Sequence, residues 1–141
     1  MYRQIKAIYS RGNVLVREFK LCSDDVKRQL FQSYCTSFYR AQLWCNYSAQ
    51  TYRKVKVAYN NTFRHLMGIK GPCSISQLFL EHNVHCYNVL MRKLVNGFMT
   101  RILASQNILI SVLVNSLYFL SSSEMHKKWA NLLYSTTSQL L

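Results

Sequence analysis

The chain has 141 residues, half of them apolar, with 18 Lys and Arg against 5 Asp and Glu, a formal charge of +13. One domain's worth of chain with that apolar share can build a packed core, which excludes a disordered basic tail. Only 4 Gly and 1 Pro are present, too few to punctuate a many-stranded sandwich or barrel that turns every 8 to 12 residues or so, so the expected fold is all-α with roughly five or six helices.

The first helix is expected over Tyr2, Ile5, Ile8 and Tyr9, running out at Arg11-Gly12-Asn13, which reads as a turn. Val14 to Cys22 is ambiguous between a short strand and a helical turn. Ser23 is placed to cap a second helix whose first turn holds Asp24 and Asp25, where carboxylates favour the positive end of the helix dipole. Its apolar stripe is expected along Val26, Leu30, Tyr34 and Phe38, broadened by Phe31 and Cys35. The Asp-Asp pair superficially matches the signature of a polymerase palm. Such a site needs an extended hairpin, and helical periodicity follows this pair at once.

After a polar joint over 46–51, a third helix is expected from about Tyr52 to Met67. Tyr52, Val55, Tyr59, Phe63 and Leu66 form its apolar side, and Arg53, Lys56, Asn60 and Arg64 recur at steps of 3 and 4 on an adjacent face. Such a face can bind phosphates or simply face solvent, and spacing alone does not separate the two. Gly68, Gly71 and Pro72 form the clearest breaker. The main boundary is therefore placed there, between a basic region over 1–70 and a C-terminal helical region over 71–141.

Beyond it, Ser74 or Ser76 starts a helix and Val84 to Ile102 reads as a long one. Its stripe runs through Tyr87, Leu90, Met91, Leu94, Val95, Phe98 and Ile102, and Gly97 is placed to allow close helix packing. Residues 102–123 carry no charge. Ser105, Gln106, Asn107, Ser111, Asn115 and Ser116 argue against a membrane span there and for a buried core helix. A last helix from about Ser123 to Leu133 carries Trp129, and the Ser/Thr tail after it is expected to fray.

Little in the chain points to catalysis. The five acids, Glu18, Asp24, Asp25, Glu81 and Glu124, are too few and too scattered for a self-contained polymerase, nuclease or kinase, which needs several converging carboxylates to hold its cations. Phosphate-cradling glycine motifs do not occur, and nothing marks one cysteine as a nucleophile. Cys73, His82, His85 and Cys86 are metal-ligand types, but their spacing fits no common zinc site, so neither a metal nor any other cofactor is expected. The five cysteines contain no CxxC pair, and the N-terminus has no secretory pattern, so an intracellular protein, nuclear or cytoplasmic and not secreted, is expected.

Charge is uneven. Residues 1–70 hold 13 basic and 3 acidic side chains, a charge of +10, while residues 71–141 hold 5 and 2, a charge of +3. The N-terminal half is therefore the expected footprint for RNA, DNA or an RNA/DNA hybrid, held electrostatically and without sequence preference. The candidate phosphate ligands are Arg3, Lys6, Arg11, Lys20, Lys27, Arg28, Arg53, Lys56 and Arg64.

Several segments, in order, resemble the region that follows the palm in reverse transcriptases of non-LTR, LINE-type retrotransposons. They are Arg11 to Trp44 (RGNVLVREFKLCSDDVKRQLFQSYCTSFYRAQLW), Lys56 to Gly68 (KVAYNNTFRHLMG), Cys73 to Phe79 (CSISQLF) and Val89 to Asn107 (VLMRKLVNGFMTRILASQN). The resemblance covers about residues 5 to 130, and the ordered run is more specific than any one segment. It implies a thumb-like helical bundle with a C-terminal helical extension, from an RNA-directed DNA polymerase whose catalytic aspartates lie upstream in the palm. A non-catalytic fragment is the resulting expectation, with Met1 opening just beyond the palm as in a 5′-truncated element copy. The missing palm would be its natural partner, and a membrane is an unlikely one. Arg64 and Asn60 lie in the family-like VAYN-x-x-x-R stretch, to which the resemblance assigns no role. The alternative expectation is a small membrane-associated or scaffold protein that uses the uncharged 102–120 segment.

Overall fold

The computed structural model describes residues 2–41, 44, 48–116, 127, 130 and 131. Among them are six helices and no strand: α1 Tyr2–Glu18, α2 Asp24–Cys35, α3 Ala49–Leu66, α4 Ile75–Glu81, α5 Tyr87–Leu103 and α6 Ile108–Asn115. The all-α fold is as the sparse glycine and proline required. Two compact units result, one from residues 1–39 and 47–90 and the other from 40–46 and 91–141.

In the first unit α1 packs mainly on α3 and also on α2. Helix α1 runs five residues past the expected turn at Gly12, which removes both that turn and the possibility of a strand after it. The reason is packing. Ile8, Gly12 and Leu15 are the buried stripe of α1, and a Cβ added at Gly12 would come well inside 3.0 Å of the Thr62 methyl on α3. Glycine here lets two helices approach closely.

Helix α2 keeps the expected acidic first turn, but Ser23 precedes it without a side-chain capping bond. The buried face is also rotated from expectation. Phe31 and Cys35 are buried, whereas Val26 and Tyr34 are exposed, and Phe38 reaches the core from beyond the end of the helix. Aromatic packing outweighs the simple Val-Leu-Tyr spacing. The Phe31 ring lies 5.1 Å from Tyr59 and 4.8 Å from Phe63.

Helix α3 starts earlier than expected because the Ser48 hydroxyl caps it, accepting from Thr51 N–H at 3.3 Å. Val55, Ala58, Tyr59, Thr62, Phe63 and Leu66 form its buried side. Gly68 and Gly71 turn the chain with φ of 68° and 109°, values that favour glycine. The break lies inside the first unit, because Phe79 of α4 stacks back on Tyr59 at 5.5 Å and Phe63 at 4.9 Å. Helix α4 ends at Glu81 with His82 as its C-cap, and Asn83 just beyond, with φ of 49°, does the work glycine often does after a helix C-terminus. The Tyr59 hydroxyl donates to the His85 carbonyl at 2.8 Å, and the Tyr87 ring meets Phe38 edge-on at 5.8 Å.

In the second unit Val95 is buried with Phe98, Met99, Ile102 and Val114 around it. Gly97 makes no close helix contact of the kind expected, since a Cβ there would meet, among the described residues, only the flexible end of Arg101 at 3.9 Å. The uncharged stretch is not one buried helix. Helix α5 stops at Leu103, and α6 leaves at 108° to it after a short break. Asn107 directs that restart: its Oδ1 accepts from Leu109 N–H at 2.9 Å and Ile110 N–H at 3.4 Å. Helix α6 has no buried residue, and Ile108, Leu109, Val112 and Leu113 are 54% to 77% exposed. No single helix among the described residues is long and apolar enough to cross a membrane, although the bent α5–α6 pair meets that length and composition together. The expected helix over 123–133 and the tail fall almost entirely outside the described residues, of which Lys127, Ala130 and Asn131 are helical.

Candidate nucleic-acid interface

Two basic rows emerge, one on α1 and one on α3. Along α1, Arg3, Lys6, Ser10, Asn13 and Arg17 recur at steps of 3 and 4 and are all exposed, on the side opposite Ile8, Gly12 and Leu15. Lys20 is exposed just past the helix end. Along α3, Arg53 is exposed while Lys56, Asn60 and Arg64 are half-buried, on the side away from Val55, Thr62 and Leu66. Because Gly12 faces Thr62, each row lies on the side of its helix turned away from the other. The nine candidate cations therefore do not converge on one patch.

Their environments differ as much as their positions. Lys27 pairs with Asp24 at 3.5 Å and Arg28 with Asp25 at 3.4 Å, one helical turn apart. Arg11 donates to the Tyr34 carbonyl at 3.1 Å and to Ser37 Oγ at 3.4 Å, tying α1 to the end of α2. Arg64 donates to the Cys73 carbonyl across the Gly68–Pro72 turn. These four use donors inside the unit. Arg3, Lys6, Lys20 and Arg53 lie out on the surface, where Lys54, not among the sequence candidates, joins Arg53. Arg17, on the α1 row, was also missed, but it pairs with Glu18 at 2.7 Å. Exposed pairs of this kind contribute little, about 0 to 1 kcal/mol. A turn at Arg11-Gly12-Asn13 would detach Arg17 from this row; with α1 continuous to Glu18, positions 3, 6 and 17 share a face opposite 5, 8, 12 and 15.

No protein-family model, curated protein or solved structure matches the chain.

Among the described residues no three His, Cys, Asp or Glu side chains stand close enough to hold a metal ion. Of the expected metal-type residues, Cys73 Sγ lies 3.7 Å from the Ser74 carbonyl, and His82 meets the Phe63 ring edge-on at 5.8 Å. The most perturbed described groups are buried rather than poised for reaction. Burial pushes the Cys35 thiol from 9.0 up to about 11, with the Arg11 guanidinium opposing the shift. Burial also raises the Tyr59 and Tyr87 hydroxyls above their ordinary range.

A shallow recess opens between the polar side of α3 and the start of α4, lined by Asn60, Asn61, Arg64, Cys73 and Ile75. No carboxylate is among the described residues that line it. Arg64 lines it, with its Nε buried away from solvent and without a hydrogen-bond partner.

Proposed function

We propose that this chain is a non-catalytic helical segment of a LINE-type reverse transcriptase that holds the phosphate backbone of RNA, DNA or their hybrid without reading sequence. The reading draws on the ordered family-like segments from Arg11 to Asn107. The structural observation that carries it is the disposition of charge. Glu18, Asp24 and Asp25, the only acids of residues 1–70, each pair with a cation one or three positions away. A surplus of +10 therefore remains on this half, with Arg3, Lys6, Lys20, Arg53 and Lys54 at the surface. Backbone contacts through such side chains supply affinity that does not depend on sequence.

The test is fluorescence anisotropy with a short RNA/DNA hybrid over a series of salt concentrations. Arg3→Glu with Lys6→Glu, and Arg53→Glu with Lys54→Glu, probe the two rows separately. Each lost phosphate contact should reduce the slope of log affinity against log salt by about 1. Detecting no binding at low salt removes the proposed function.

One observation favours the second reading, of a membrane-associated or scaffold protein. Helix α6 presents four large aliphatic side chains to solvent, the kind of apolar face that an interfacial helix buries in lipid, although α6 lacks the basic polar face that usually accompanies it. Flotation with anionic vesicles separates the readings: co-flotation lost on Leu109→Asp with Val112→Asp would favour the membrane, and no flotation would exclude it.

A further inference from the structure

We propose that the recess between α3 and α4 is a seat for one phosphate group, held by Arg64 with Asn60 and Asn61, and that the phosphate it takes belongs to a nucleic-acid backbone. The assignment of its source rests on the reading of the chain as a backbone binder. The seat itself rests on geometry. Arg64 is positioned rather than mobile, because its guanidinium donates to the Cys73 carbonyl across the Gly68–Pro72 turn. That bond engages one Nη of the guanidinium and leaves the other Nη as a donor for a ligand in the recess.

The walls suit an anion. Asn60 and Asn61 bring carboxamides that can donate N–H, and no acidic side chain is among the described residues that line the recess. A guanidinium fixed at a wall keeps its charge and a planar N–H donor aimed by the carbonyl bond on its other Nη, whereas lysine offers a mobile point charge. The recess also lies in line with the basic row, since Arg53 and Lys56 continue the face of Asn60 and Arg64 toward the start of α3. A strand following that row would have one phosphate held in the recess and its neighbours met by longer-range charge. Exposed lysines position a duplex only loosely, whereas a fixed arginine in a recess sets register along it.

The same chemistry would accept free phosphate, so the test has two arms. In the isotope-labelled full chain, NMR follows the side-chain amides of Asn60 and Asn61 and the Arg64 Nε–H during titration with inorganic phosphate and, separately, with a short RNA/DNA hybrid. Asn60→Asp places a carboxylate in the recess with little change of shape. Asn13→Asp makes the same charge change on the exposed α1 row. The expected result is that these resonances shift with the hybrid at far lower concentration than with phosphate. Asn60→Asp, read at the Asn61 amide and the Arg64 Nε–H, abolishes the shifts and weakens hybrid binding about tenfold, Asn13→Asp weakens it less than threefold, and both variants keep the parent's circular dichroism and denaturation midpoint. Arg64→Lys, which keeps the charge and loses the fork, should weaken binding as Asn60→Asp does.

Hybrid binding that is equally affected by Asn60→Asp and Asn13→Asp, or by neither, overturns the seat while leaving the surface grip of the proposed function intact. Shifts with phosphate and none with hybrid overturn the backbone assignment. Absence of any hybrid binding at low salt overturns the proposed function and this assignment together.

Discussion

Replacing Gly12 by alanine tests whether α1 and α3 approach as closely as the fold requires. In an isolated helix the change should help, because glycine in a helix interior costs about 1 kcal/mol relative to alanine. Here the new Cβ meets the Thr62 Cγ2 methyl well inside 3.0 Å, and Thr62 is only 3% exposed, so the methyl has nowhere open to go. Overpacking of this kind costs about 1 to 3 kcal/mol. With the upper half of that range set against the propensity gain, the net loss is about 1 to 2 kcal/mol.

Thr62→Ala removes the obstructing methyl, and the next nearest atom, the β-carbon of residue 62, lies at 3.4 Å from the new Cβ, an ordinary contact. It also removes the Thr62 hydroxyl, which is buried without a partner, so the single change should cost less than about 1 kcal/mol. In that background Gly12→Ala should stabilise by about 1 kcal/mol. The coupling across the double-mutant cycle is then about 2 to 3 kcal/mol, with a reversal of sign. Urea denaturation measures it, from shifts in midpoint at unchanged slope. If Gly12→Ala stabilises the parent protein as it does the Thr62→Ala variant, the close approach is absent and the packing argument for α1 fails.

Tyr59→Phe should cost about 1 to 3 kcal/mol because it leaves the His85 carbonyl without its donor, whereas Tyr87→Phe should be neutral or stabilising because the Tyr87 hydroxyl is buried without a partner; urea midpoints compare the two. Stability should fall as pH rises. Burial raises the folded-state pKa of Cys35 from 9.0 to about 11, so its contribution is complete below about 9 and is lost as pH rises through 11, while the raised Tyr59 and Tyr87 hydroxyls extend the loss above 10; a midpoint that stays flat from pH 8 to 11 contradicts this. Asn107→Ala should remove about 1 kcal/mol from α6 and speed hydrogen exchange at the Leu109 and Ile110 amides roughly fivefold, whereas Asn107→Asp should leave it unchanged or slower.

The two glycine expectations failed for a common physical reason. Gly12, flanked by Arg and Asn, has the local character of a turn, while Gly97 lies inside a strong helical stripe and suggested close packing. In the structure Gly12 is the helix-crossing glycine, and at Gly97 an added Cβ would meet, among the described residues, only the end of Arg101. A glycine can serve a turn or a close approach, and which one applies depends on what lies opposite, here Thr62, some fifty residues away in sequence. The aromatic core shows the other side of this. Tyr59 and Phe63 were legible on α3 because they share its stripe. Phe31 was legible as the flank of the α2 stripe, but that it rather than Val26 and Tyr34 sets the buried face, and that Phe79 turns α4 onto α3, follow from ring packing that no local period reports. The break before α6 did have a local signal in Ser105-Gln106-Asn107. Their polarity is costly in a membrane, but its more immediate effect is that Asn107 caps a new helix.

For the basic surface the limit of the sequence is more consequential. Charge counting treats Arg3 and Arg64 as equivalent, yet one is exposed on α1 and the other is tied to a carbonyl beside a turn. Removing Arg11 or Arg64 should therefore affect stability as well as binding, because each donates to a backbone carbonyl that would lose its partner. Removing Arg3, Lys6 or Lys54 should affect binding alone. A loss of affinity on neutralising all the cations together would say nothing about which surface touches nucleic acid. The two rows lie on different sides of the first unit, so a single duplex is expected to engage one of them at a time. The row ending at the Arg64 recess combines a positioned guanidinium with neighbouring charge, and it is the one expected to set register, while the α1 row adds attraction without orientation.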